Sequence, residues 1–190
     1  MTGWENDKAW SDLYLPQIRA IVGPLLLEPA PLEMDMCEAT DLKIMKARDM
    51  RIACRLRRPG YADRYPFEFT IRSRRHHNQT ELEKILSGFG DWAFYGHVDN
   101  ANRISRYFLL DLDWFRSVIF YDNDHHRWLP ANGVAMEKMN FDKSSYFMAY
   151  DICYFPAEMV IASSHDVPFQ SLLSWDHLRQ TMGFMSRKRH

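Results

Sequence analysis

Residues 38–84 read EATDLKIMKARDMRIACRLRRPGYADRYPFEFTIRSRRHHNQTELEK, and the fold turns on how the alternating segments in this stretch are arranged. In Asp41–Met45, Leu42 and Ile44 alternate with Asp41 and Lys43. In Arg51–Arg57, Ile52, Cys54 and Leu56 alternate with Arg51, Arg55 and Arg57. In Phe67–Ser73, Phe67, Phe69 and Ile71 alternate with Glu68, Thr70 and Arg72. A period of two marks half-buried strands. The short turn at Ala47-Arg48-Asp49 predicts a hairpin between the first two segments. With the third as a neighbour, one sheet face would carry Asp41, Lys43, Glu68, Thr70 and several Arg, and the other face would be core.

Charge singles out the same stretch. Residues 48–75 hold nine Arg and no Lys against Asp49, Asp63 and Glu68, a local +6 in a chain of formal net charge −1. Such a block predicts an anionic partner, nucleic acid first. Arginine suits planar, bidentate contact with phosphate. The competing explanation is that these arginines pair with the chain's own acids or stand in solvent.

Working outward, residues 7–27 carry apolar side chains at helical spacing, interrupted by Pro16 and Pro24, which predicts two helical pieces or a kinked one. Pro59-Gly60 breaks the second strand. Thr80-Glu81-Leu82-Glu83 fits a capping box, and Gly88 and Gly90 stop the short helix it opens. Trp92–Val98 is apolar on both sides and so reads as a central strand, with Ile104–Asp111 returning antiparallel. Asp111–Ile119 reads as a helix capped by Asp111 or Asp113, Asp122–Arg127 as a polar loop, Tyr146–Phe155 as a strand and Val167–Met182 as a closing amphipathic helix. The class is α+β, with a central mixed, largely antiparallel sheet flanked by helices. Residues 1–190 read as a single domain, with a core over about 10–119 and an extension over 120–190.

With 46% apolar and 26% charged residues, the composition is that of a soluble globular protein. Cys37, Cys54 and Cys153 form no CxxC pair and read as reduced thiols. The polar first residues do not suit a secretory signal, and no run approaches the roughly twenty apolar residues of a membrane span. The expected location is cytoplasmic, in the host cell if the chain is phage-encoded. Neither a Gly-rich phosphate loop nor a GxSxG elbow occurs. His76-His77 and His125-His126 are adjacent pairs whose rings diverge in extended chain. Asp122, Asp124 and His125 with His97 could gather a cation, but a polar turn explains that loop as well.

The order helix, hairpin, strand, helix, strand, strand, helix around residues 10–119, with GDWAFYGHVDNANRISRYFLLDLDWFR (Gly90–Arg116), resembles the core of PD-(D/E)xK nuclease-like proteins, phage-encoded ones in particular; EATDL, RIACRLRRPGY, FTIRSRR and TELEKI are similar to segments of phage proteins. The resemblance covers about half the chain. It implies an Asp followed by an acid-x-Lys pair on adjacent strand ends, holding Mg²⁺ and preparing a water for attack on DNA. Asp41 matches the first carboxylate. The second motif departs: Arg55-Leu56-Arg57 stands where acid-x-Lys belongs, and an arginine in the acid position binds no cation. A second register takes Glu68 as the acid, with Thr70 in the lysine position and Lys84 supplying the amine from the following helix. A third takes the literal Asp41-Leu42-Lys43, with Asp35 as partner. Asp41 and Glu68 are thus the implied metal ligands, and Lys84 or Lys43 would handle the water. Arg55, Arg57, Arg58, Arg72, Arg74 and Tyr61 are the expected nucleic-acid contacts. Ordinary structural roles compete at each position: Asp41 or Glu68 paired with a neighbouring Arg, Lys84 solvated, and Tyr61 and Tyr65 packed under their loop.

Two functions follow as expectations. One is a phage-type DNA-binding protein with a nuclease-like fold, cutting with Mg²⁺ if the carboxylates converge. The other is a non-catalytic protein that binds and blocks a host factor with the same face.

Overall fold

The computed structural model of the chain describes residues 3–29, 42–44, 50–75, 79–123, 127–130, 135–140 and 145–170. The opening segment forms two helices, α1 (Gly3–Asp12) and α2 (Leu15–Val22). Pro16 falls in the first turn of α2, where a missing N–H costs nothing, and Pro24 lies in the 3₁₀ turn Gly23–Leu26 that ends the element. Strands β1 (Leu27–Pro29) and β2 (Leu42–Ile44) then pair antiparallel. Next come β3 (Ile52–Arg57), the one-turn helix α3 (Tyr61–Arg64), β4 (Glu68–Arg75) and α4 (Glu81–Leu86). The chain continues through β5 (Trp92–Val98), β6 (Ile104–Asp111) and α5 (Leu112–Val118). It goes on as β7 (Ile119–Asp122), β8 (Arg127–Pro130), β9 (Ala135–Met139), β10 (Ser145–Asp151) and β11 (Val160–Ser163).

Two sheets organise these elements into one α+β unit. The four-stranded sheet has the order β11-β6-β5-β3, antiparallel except for the parallel β3–β5 pair. The three-stranded sheet has the order β4-β10-β9 and is antiparallel. On one face of the four-stranded sheet, Trp92, Phe94 and Leu109 pack against Ile18 and Val22 of α2. On its other face, Tyr95, Phe108 and Leu110 join Phe69 and Tyr150 of the three-stranded sheet and Phe115 of α5. Phe69 stacks on Tyr150 at 5.3 Å, a cross-strand aromatic pair that fixes the β4–β10 register.

Local chemistry sets the element ends. Thr80 Oγ1 accepts from the Glu83 N–H while the Glu83 carboxylate accepts from the Thr80 N–H, so the expected capping box forms. Gly88, at φ 89°, ends α4 in a left-handed conformation that a side chain would resist. Asp111 Oδ1 caps α5 by accepting from the N–H groups of Asp113 and Trp114. Asp99 accepts from the N–H groups of Ala101 and Arg103 and closes the β5–β6 turn.

Three expectations are corrected. The first two alternating segments do not form a hairpin: β2 pairs with β1, and β3 pairs with β5. The third is not their neighbour, because β4 joins the other sheet beside β10. The reason lies in β5, which is apolar on both faces and needs a strand on each side. β6 supplies one by hairpin. β3 supplies the other in parallel, with β4 and α4 as the long crossover that parallel pairing demands. Finally, Val167–Gln170, the start of the expected closing helix, is not helical, and the Gln170 N–H donates to the Cys153 carbonyl at 2.8 Å. The rest of that helix and the basic tail lie outside the described residues. Among the described residues, no helix is long and apolar enough to cross a membrane.

Candidate nucleic-acid interface

Register builds the site. Across β3 and β5, Arg55 stands opposite Tyr95 and Arg57 opposite His97; across β5 and β6, His97 stands opposite Arg106. Opposed residues share a face, so Arg57, His97 and Arg106 form one row across three strands. Ile52 and Leu56 take the other face, against the α2 cluster. The Arg face of β3 therefore looks toward the three-stranded sheet. There the Thr70 and Tyr95 hydroxyls lie 3.3 Å apart, both buried. Arg55 Nη1 donates to Glu81 Oε2 at 2.8 Å, and the same oxygen accepts from the Arg72 N–H at 3.3 Å. Of the residues expected on one polar sheet face, Arg55 and Arg57 thus lie on the four-stranded sheet and Glu68, Thr70 and Arg72 on the three-stranded one.

Four of the seven arginines of residues 50–75 whose side chains are described pair with acids of the chain. Arg55 pairs with Glu81, Arg58 with Asp7 at 2.9 Å, Arg51 with Asp91 at 3.5 Å, and Arg74 with Glu137. Glu68 pairs with Lys138 at 3.1 Å, rather than with an arginine. Arg57 differs. Its half-buried guanidinium lies 4.6 Å over the Tyr61 ring and 5.9 Å from that of Phe147, with no carboxylate on it among the described residues. Arg64, exposed, sits 5.2 Å over Tyr65, again without an acid. Lys138 Nζ approaches the Tyr65 ring at 5.0 Å. Tyr61 and Tyr65 stack at 6.3 Å and 29°, and Tyr61 remains 40% exposed. Cation over ring is favourable by about 0.5–2 kcal/mol per pair, increasing as water is excluded.

The implied metal site gains no support from these contacts. Asp41 and the side chain of Lys43 lie outside the described residues, as do Asp35, His76, His77, Asp124, His125 and His126. Glu68 is held by Lys138, and Lys84 stands exposed on α4. Among the described residues no group of three or more His, Cys, Asp or Glu side chains gathers where a cation could sit.

Sequence reasoning passed over His97 as a member of this face. It is 1% exposed, and neither ring nitrogen has a hydrogen-bond partner among the described residues. Burial, then the nearby Arg57, Arg106 and His165, push its pKa down to about 4, so the ring is neutral at physiological pH. His165, beside Phe108 and Phe67, is lowered as well, chiefly by burial. Burial pushes the Tyr95 hydroxyl up, against the lowering pull of Arg57. The available signal was a single polar residue inside WAFYGHV, which is also what a structural histidine looks like. Lys138 and Arg64 were missed too, since strand β9 was not anticipated and Arg64 stood in a loop read only for its tyrosines.

No protein-family model, curated protein or solved structure matches this chain.

Proposed function

We propose that this protein binds nucleic acid, DNA in the first instance, on the face formed by the end of β3, the loop 58–67 and the adjoining face of β4 and β10. Arg57 carries the reading. A half-buried guanidinium is costly without a counter-ion, and the arginines around it have taken Glu81, Asp7 and Glu137. Held over Tyr61, Arg57 keeps its N–H edge available for a phosphate oxygen while the ring stabilises its charge. Arg64 supplies a second cation one helical turn along α3. Glu68 is paired with Lys138, so the role assigned to this face is binding.

A second reading, a non-catalytic protein that blocks a host factor, draws on different residues. Met136 and Met139 are 64% and 47% exposed on β9, the end strand of its sheet. Exposed methionines beside a strand edge suit an adaptable protein contact.

Fluorescence anisotropy with labelled DNA separates the two. With two or three phosphates engaged, the affinity falls roughly tenfold between about 50 and about 200 mM salt. Absence of binding at low salt, with capture of a protein partner lost in Met136→Asp, would favour the second reading.

A further inference from the structure

We infer that the nucleic acid this face accepts is single-stranded, with unpaired bases stacking on the Tyr61–Tyr65 pair; this rests on the nucleic-acid reading above. Available positive charge on this face is sparse among the described residues. A duplex binder commonly neutralises about six to ten phosphates. Here Arg51, Arg55, Arg58 and Arg74 are each occupied by an acid of the chain, which leaves Arg57 and Arg64 as the loop's cations without a carboxylate among the described residues. Among the described residues, two such guanidiniums hold a few phosphates of one strand and fall short of the roughly six to ten of a duplex binder.

Tyr61 and Tyr65 stack at 29°, cations lie over both, and Tyr61 stays 40% exposed. In a duplex the base faces are already stacked on one another and out of reach. An unpaired base offers its face to an aromatic ring, and this stacking tolerates any sequence. The rings are also held in place before a ligand arrives: the Tyr65 N–H donates to the Tyr61 carbonyl at 2.9 Å, and Arg106 Nη1 donates to the Ala62 carbonyl at 3.0 Å, tying α3 to the four-stranded sheet. Preorganised rings lose little entropy when a base docks. Phosphates on Arg57 and Arg64 with bases on the two tyrosines make one short track along the loop.

The test compares a labelled thymidine strand of about 15 nucleotides with a duplex of the same length, against wild type, Tyr61→Ala, Tyr61→Phe and Arg57→Gln. The single strand is expected to bind at least about tenfold more tightly. Tyr61→Ala should weaken it by about five- to hundredfold and leave the duplex within about twofold, while Tyr61→Phe, which keeps the ring, stays near wild type. Duplex binding as tight as single-strand binding, or a single strand indifferent to Tyr61→Ala, would overturn the inference; if Arg57→Gln still weakens that duplex binding, the nucleic-acid reading survives. Binding of neither DNA at low salt would overturn both.

Discussion

The hydroxyl oxygens of Thr70 and Tyr95 lie 3.3 Å apart in the interior, one on each sheet, and so join the three-stranded sheet to the four-stranded one. Either group alone would be a buried hydroxyl without that partner. Tyr95→Phe and Thr70→Val are each expected to cost about 1–2 kcal/mol in urea unfolding. The double variant should cost less than the sum of the two, because no orphaned hydroxyl remains. Strict additivity would show that the pair contributes no coupling.

His97 should make stability depend on pH. Its folded pKa of about 4 lies below the value near 6.5 of an unfolded histidine. Between these values the unfolded chain binds more protons, so stability rises with pH across the window. The contribution is fully present above about pH 6.5 and is lost as pH falls toward 4, by about 2–3 kcal/mol. Arg57, Arg106 and His165 all act in the same direction on the ring. His97→Gln should flatten the profile measured by denaturation from pH 4 to 7, leaving the smaller slope due to His165. An unchanged profile would mean that the buried imidazole finds a compensating partner.

The capping box of α4 positions part of the interface. Thr80 is 3% exposed and holds the first turn, in which Glu81 receives Arg55. Thr80→Ala is expected to destabilise the fold by about 1–2 kcal/mol, with Thr80→Ser close to wild type. Equal stability of Thr80→Ala and wild type in thermal unfolding would contradict the capping role.

Local elements were legible in the sequence, and strand partners were not. The helix pair at Pro16, the capping box at Thr80, the Asp111 cap and the β5–β6 hairpin all rest on interactions within a few residues, which sequence spacing encodes directly. The partners of β3 and β4 are decided by β5 and β10, some 40 and 75 residues away, and alternation says nothing about such choices. Strands β7, β8, β9 and β11 are short and weakly alternating, so they went unread. At the site, alternation put Arg55 and Arg57 on one face of their strand, but it placed Glu68 and Thr70 on the same sheet, whereas they lie on β4 of the other one. Which arginines keep an available charge could not be foreseen, because Asp7, Glu81 and Glu137 come from distant elements.

The most direct measurement compares DNA binding by Arg57→Gln and Arg58→Gln at low salt. The two residues are adjacent and carry the same charge, but Asp7 holds Arg58, while Arg57 lies over Tyr61 without an acid among the described residues. If Arg57 is the phosphate contact, its loss weakens binding by about tenfold and lowers the salt slope by about one, while loss of Arg58 changes the affinity by less than about threefold. Equal effects of the two substitutions, or none from Arg57→Gln, would contradict the account.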